Sequence, residues 1–220
     1  MGRVVMSEAF YKLSLEKQNM ILNEAYKEFT ENGYEKASTN IIAKNSEIGK
    51  GTLFYYFGNK RKLFDFLVDT AFQLTYEVYF NNIDFEQTDF FKRLIEVSQL
   101  KQNVYKNYQY PMGFISKILM ASGEFDLSEE HMKKRAIVEE TWSQVLKKNI
   151  DFSKFREDLP QEVTFNFIRW TLEGYRQELE MRVKQTDGFL MNEENIKTYY
   201  DEYFSYINTL KKIYYKENLD

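Results

Sequence analysis

The chain has 220 residues, no cysteine, 2 prolines, 9 glycines and a formal net charge of −4. That length can bury a core in one large or two small domains. The lack of cysteine leaves no disulfide framework and no case for secretion. No apolar run approaches the roughly 18 residues of a membrane span, and the start Met1-Gly2-Arg3-Val4-Val5-Met6-Ser7-Glu8 lacks a secretory apolar core. The expectation is therefore a cytoplasmic protein with no membrane partner.

Scarce helix breakers predict an all-α fold. Leu22, Ala25, Tyr26 and Phe29 recur at helical spacing, so residues 15–32 read as an amphipathic helix. Asn32-Gly33 ends it, glycine being the usual residue at a left-handed helix terminus. Ser38 or Thr39 caps a second helix that runs to about Ser46. A short third helix covers 50–57. From the natural cap Asn59 a fourth runs to about Phe80, spanning on the order of 30 Å at 1.5 Å per residue. Asn81-Asn82-Ile83-Asp84 breaks the pattern. Further helices are predicted over 87–107, 111–121, 128–149, 160–185 and 192–216. Their separators are Tyr110-Pro111, Ser122-Gly123, the polar stretch 151–160 and Thr186-Asp187-Gly188.

Charge divides unevenly along this series. Residues 1–62 carry a net +3 and residues 63–220 a net −7, a mildly basic head on an acidic body. The helix after Pro160 has two apolar stripes. Val163, Phe167, Trp170 and Gly174 lie on one side; Phe165, Ile168, Leu172, Tyr175 and Leu179 lie nearly opposite. One stripe against the chain's own core and one against a second subunit explains both, with Gly174 permitting close helix approach. Burial of both stripes within a larger single bundle is the alternative. The last helix has one broad face from Ile196, Tyr199, Tyr200, Tyr203, Ile207, Leu210 and Tyr214. Its Tyr199, Tyr203, Ile207 and Leu210 complete the expected dimer seam.

Residues 38–60 carry the chemistry. A short helix, a tight turn and a second helix with small and aromatic residues at its exposed start form a helix-turn-helix suited to a DNA major groove. Lys50-Gly51-Thr52 opens the recognition helix, whose free N–H groups and positive end can meet a phosphate. Gly51 allows close backbone approach, and Thr52 offers a hydroxyl and a methyl suited to a thymine. Tyr55 and Tyr56 extend the exposed face, while Leu53 and Phe57 face inward. Lys60 is placed to reach a flanking phosphate, and Thr39 and Asn40 to touch the backbone or a base from the start of the preceding helix.

The segments Phe29-Thr30-Glu31-Asn32-Gly33-Tyr34, Ser38-Thr39-Asn40-Ile41-Ile42-Ala43, Lys50-Gly51-Thr52-Leu53-Phe54-Tyr55-Tyr56-Phe57 and Asn59-Lys60-Arg61-Lys62-Leu63-Phe64 together resemble the TetR family of bacterial transcriptional repressors, over about residues 14–68. Two departures concern the turn: the family usually has Gly where this chain has Glu47, and Ser or Thr where it has Gly49. A left-handed Glu costs roughly 1 kcal/mol, and Gly is a slightly weaker cap than Ser. Phe54 stands where Tyr is common, which removes one hydroxyl from phosphate contact.

The resemblance implies a DNA-binding domain over 1–58 and a helical ligand-binding and dimerisation domain over 59–220. It further implies a homodimer reading a palindromic operator in double-stranded DNA. A small-molecule effector would bind the second domain, with the helix over 59–80 as the lever between the halves.

An apolar or aromatic effector would suit the aromatics and methionines of the body: Phe72, Tyr76, Tyr105, Tyr108, Met112, Phe114, Ile118, Met120, Trp142 and Trp170. Any one of these is more readily explained as core, and Glu96, Glu139 and Glu173 as solvated charges. His131, the single histidine, stands in the helix start Ser128-Glu129-Glu130-His131 and is expected on the surface. With no cysteine and no second histidine, zinc sites and Cys/His or Ser/His nucleophile arrangements lack material. No enzyme activity, metal or cofactor is expected. Two other readings stay open: a dimeric helical binding protein or enzyme using an aromatic cavity, which predicts burial of Tyr55 and Tyr56, and an interaction protein with no cavity.

Overall fold

The computed structural model describes residues 7–120, 125–185 and 193–216. Among these the chain is helical, apart from turns and an isolated antiparallel bridge between Phe155 and Tyr215. The helices are α1 (Glu8–Tyr11), α2 (Leu15–Lys36), α3 (Thr39–Asn45), α4 (Lys50–Phe57), α5 (Lys60–Val78), α6 (Phe90–Asn107), α7 (Gln109–Met120), α8 (Glu129–Lys147), α9 (Gln161–Gln185) and α10 (Glu193–Tyr214). The fold is all-α, as the scarcity of breakers predicts. The chain start at 1–6 and the separators expected at Ser122-Gly123 and 186–188 lie outside the described residues.

Local chemistry explains most boundaries. Ser14 caps α2 by accepting the Lys17 N–H, and Asn59 caps α5 by accepting the Lys62 N–H at 2.9 Å. Gly33 breaks α2 at φ 66°, but one more helical turn follows before Ser38. Asp89 caps α6 through the Lys92 N–H at 3.0 Å. Tyr110-Pro111 does not separate helices: α7 already begins at Gln109. Pro111 falls in its first turn, where a missing N–H leaves no bond unmade. The four-residue α1 is too short for periodicity to reveal.

The chain forms two compact units: Met1–Asn81 with Asn107–Val138, and Asn82–Lys106 with Glu139–Asp220. In the first, α2, α3, α5 and α7 pack together. Tyr26 donates its hydroxyl to Leu67 O at 3.2 Å, and its ring lies 5.2 Å from Phe114. Phe29 packs on Phe64 at 5.2 Å, and both are fully buried. The compact unit that holds the helix-turn-helix thus continues beyond residue 58 through α5 and α7.

His131 corrects an expectation in this unit. It is 3% exposed, because the first turn of α8 faces α5 and places the ring against Asp65 and Asp69.

The second unit closes around Phe90, Phe91, Leu94, Ile150, Phe155, Ile168, Ile207, Leu210 and Tyr215. Arg93, 1% exposed, crosses its edge. The guanidinium donates to the carbonyls of Phe85 (2.9 Å), Gln87, Val145 (3.3 Å) and Lys148, so it ties the approach to α6 to the C-terminal end of α8. A buried Arg is tolerable here because its donors are matched by backbone carbonyls, those of Val145 and Lys148 standing at the C-terminal end of α8 where the helix leaves carbonyls unbonded.

Candidate nucleic-acid interface

The reading element is positioned from α2. Glu28, buried on that helix, accepts the Ser38 backbone N–H at 2.7 Å, and Ser38 Oγ accepts the Ile41 N–H, which fixes the start of α3. Ile42 and Ala43 anchor α3 by burial.

The turn that follows closes in a Schellman arrangement. Glu47 N–H bonds Lys44 O and Ile48 N–H bonds Ala43 O, each at 3.0 Å, with Glu47 at φ 53°. The sequence expectation of a left-handed Glu is therefore met. The turn keeps the shape glycine would give it, and Lys17 lies 3.9 Å from the Glu47 carboxylate. Gly49 caps α4 in extended conformation without a side-chain bond.

In α4, Leu53 and Phe57 are buried and hold the helix on its scaffold. Tyr55 is 67% exposed, Lys50 and Gly51 are exposed, and Thr52 and Phe54 are half-buried. A Cβ at Gly51 would meet nothing within 4 Å, so open space lies over that backbone. Lys50 Nζ lies 5.6 Å above the Phe54 ring. Tyr56 is more enclosed. Its carbonyl accepts the Ser7 N–H at 3.1 Å and its ring meets Phe10 at 5.8 Å, so α1 forms a buttress behind the end of α4. Sequence reasoning missed both this buttress and Glu28.

Three other expected contacts fare differently. Asn40 is exposed, whereas Thr39 is 9% exposed and presents little surface. Lys60 donates to Glu35 O at 3.0 Å and lies 5.0 Å over the Tyr34 ring, so its ammonium already has partners. Lys44, which sequence reasoning did not single out, is exposed on α3.

The expected pocket residues divide between the two units. Phe72, Met112, Phe114 and Ile118 are buried in the first unit, with Tyr76 half-buried there. Trp142 belongs to the second unit, half-buried with Lys101 Nζ 5.9 Å over its ring. Tyr108 is 40% exposed and Trp170 57% exposed, so neither lines an enclosed space within the chain. A cleft of about 240 Å³ in the second unit is lined instead by Phe152, Phe155, Arg156, Glu157 and Thr164, among others. Glu173 pairs with Arg176 and Glu96 with Lys92, as surface charges do.

The dimer expectation divides by helix. On α9, Val163, Phe167 and Trp170 are about half exposed and Gly174 is open, while Ile168 and Tyr175 are buried. On α10 the expectation is corrected for Ile207 and Leu210. Ile207 and Leu210 belong to the chain's own core, and Tyr199 and Tyr203 pack on Tyr175 at 5.6 and 6.3 Å. The exposed apolar residues of α10 are Tyr206 and Ile213. A broad apolar face buries its central line first, so outward positions cannot be read from hydrophobicity alone.

Residues 21–66 match the family model described as bacterial regulatory proteins of the tetR family. Over 58 residues the chain is 38% identical to the HTH-type transcriptional regulator YhgD of Bacillus subtilis (strain 168), a match covering 26% of this chain and 30% of that protein. Over residues 21–66 the chain is of the TetR family. Beyond that stretch the likeness is to the fold of solved structures. A TetR family transcriptional regulator from Chloroflexus aurantiacus J-10-FL superposes with a TM-score of 0.67 at 17% identity, over 97% of this chain and 100% of that one. The ketosteroid transcriptional regulator KstR2 of Mycobacterium tuberculosis gives 0.59 at 19% identity, over 98% and 100%. At such identities the likeness is one of fold. TetR proteins are regulators rather than enzymes. Among the described residues, no cluster of three or more metal-ligating side chains is placed to hold a metal ion, and no helix is long and apolar enough to cross a membrane.

Proposed function

We propose that the protein is a DNA-binding transcriptional regulator that reads a palindromic operator as a homodimer, represses, and is released by a small-molecule effector. The observation that carries the DNA reading is the division of α4. Leu53 and Phe57 are buried, while Lys50, Gly51 and Tyr55 face outward with Thr52 at their edge. A helix used only for packing would bury Tyr55. The Lys44 and Lys50 ammonium groups are the phosphate contacts of this face, and Thr52 and Tyr55 its base and sugar contacts. The outward stripe Val163, Phe167, Trp170 and Gly174 supports the homodimer, since it exposes large apolar groups that a second copy would cover. Repression and effector release rest on the family alone, and the effector class stays the apolar or aromatic one suggested by the body's composition.

A gel-shift assay on DNA from the protein's own promoter region tests the reading. Salt-sensitive binding to a palindrome is expected, and its absence on every palindrome there sinks the proposal. Thr52→Ala should narrow the gap between specific and mismatched sites. Lys50→Ala should weaken all sites alike and reduce the salt slope by about 1. If neither substitution alters binding, the reading face is misassigned.

A further inference from the structure

The segment that leads into α9 lines the cleft of about 240 Å³ in the second unit. One side of the cleft is aromatic. The Phe152 and Phe155 rings lie 6.4 Å apart at 37°. Phe155 is buried, with Phe90 at 5.7 Å and Tyr215 at 4.9 Å meeting it edge to face, so its ring has a fixed place. Phe152 is partly exposed and meets Phe165 edge to face at 5.6 Å.

Another side is the first turn of α9. Pro160 O accepts the Thr164 N–H at 3.0 Å, which puts Pro160 at the cap position. Proline has no side-chain oxygen, so the cap residue serves none of the N–H groups of residues 161–163. Those donors stand at the positive end of a 25-residue helix. Thr164 lines the cleft from the same turn. It is 4% exposed, and among the described residues its hydroxyl has no hydrogen-bond partner. A hydroxyl so enclosed has given up water contacts that a ligand oxygen would replace.

The charges at the rim are matched within the chain. Lys216 Nζ donates to Glu157 at 2.5 Å. Arg156 holds Asp158 through Nε at 3.0 Å and Nη2 at 2.6 Å, with Nη1 3.4 Å from Ile213 O. Glu162, also in the first turn of α9, is exposed and does not line the cleft. The sign of a ligand is therefore set by the helix end and the Thr164 hydroxyl, which together suit an acceptor of negative charge. A cavity of about 150 Å³ holds benzene, whereas drug-sized ligands occupy about 300 Å³ or more. The cleft lies between these and has room for one ring with a short substituent.

We propose that this cleft binds a small aromatic carboxylate, its ring against Phe152 and Phe155 and its carboxylate between the Thr164 hydroxyl and the N–H groups that open α9. Ring and charge act together. A ring alone leaves the donors unserved, and a simple carboxylate leaves the aromatic side in contact with water.

The probe is benzoate, titrated into the full chain and followed by ligand-observed NMR. No DNA is present, so failure of this site and failure of the DNA reading are distinguishable. A dissociation constant of about 1 mM or tighter is expected. Benzyl alcohol, which lacks the charge, and acetate, which lacks the ring, should each bind at least about fivefold more weakly. Thr164→Val keeps the shape of the side chain and removes the hydroxyl, and should weaken benzoate by about tenfold. Phe152→Ala, at a partly exposed ring, is the second arm if Thr164→Val fails to fold, and should weaken benzoate by about the same factor. Circular dichroism checks the fold of each variant. Absence of benzoate binding overturns the site, as does affinity that either folded variant leaves unchanged. Benzoate that binds no better than benzyl alcohol overturns the carboxylate assignment.

Discussion

Glu28 accepts the backbone N–H of Ser38, ten residues ahead, at 2.7 Å from a position 6% exposed on α2. One carboxylate thereby sets where the first helix of the reading motif begins. Glu28→Ala should leave that N–H without a partner and lower stability by about 1–3 kcal/mol. Glu28→Gln, which keeps an acceptor oxygen, should lose less. Denaturant unfolding measures both, and equal losses would show that the contact has no special role.

Glu47 occupies the left-handed position of a Schellman turn at φ 53°. Glu47→Gly removes a Cβ clash worth about 1 kcal/mol, against which the greater entropy of an unfolded glycine counts in part. The expected result is a net gain of a few tenths to about 1 kcal/mol in unfolding free energy. A loss would mean that the Lys17 pair at 3.9 Å contributes more than an exposed ion pair usually does.

Arg93→Met keeps the aliphatic bulk of the side chain but strands the carbonyls of Phe85, Gln87, Val145 and Lys148. A loss of about 3 kcal/mol or more is expected, since several buried acceptors lose a charged donor together. Arg93→Lys should recover only part of it, because an ammonium cannot reproduce the planar fork. Thermal melting of the three proteins orders them.

Trp170 and Phe167 meet edge to face at 6.1 Å on the outward stripe of α9. Trp170→Glu should convert a dimer into a monomer in size-exclusion chromatography with light scattering, while circular dichroism stays unchanged. A monomeric wild type, or a dimeric variant, would place any seam elsewhere.

Where local chemistry decides structure, the sequence is legible. Ser38 and Asn59 cap helices as expected, Gly33 breaks α2, and Leu53 and Phe57 are buried while Tyr55 is not. Tertiary partners are what it conceals. Lys60 has the charge and position of a phosphate contact, yet a carbonyl and a tyrosine ring from α2 engage it. His131 follows three polar residues and reads as surface, because nothing local shows that two aspartates 62 and 66 positions earlier face it. Ile207 and Leu210 read as seam residues because a place in the chain's own core leaves no periodic mark of its own.

The eight residues of α4 leave little room for change. Two are fixed by the core, Tyr56 by α1, and Phe54 lies beneath the Lys50 ammonium. On the proposed reading face, descendants that acquire a different target sequence must therefore draw most of their novelty from positions 51, 52 and 55. Substitution at 53, 54, 56 or 57 would disturb the helix's seat before altering what it reads, so the repertoire reachable by single steps is narrow.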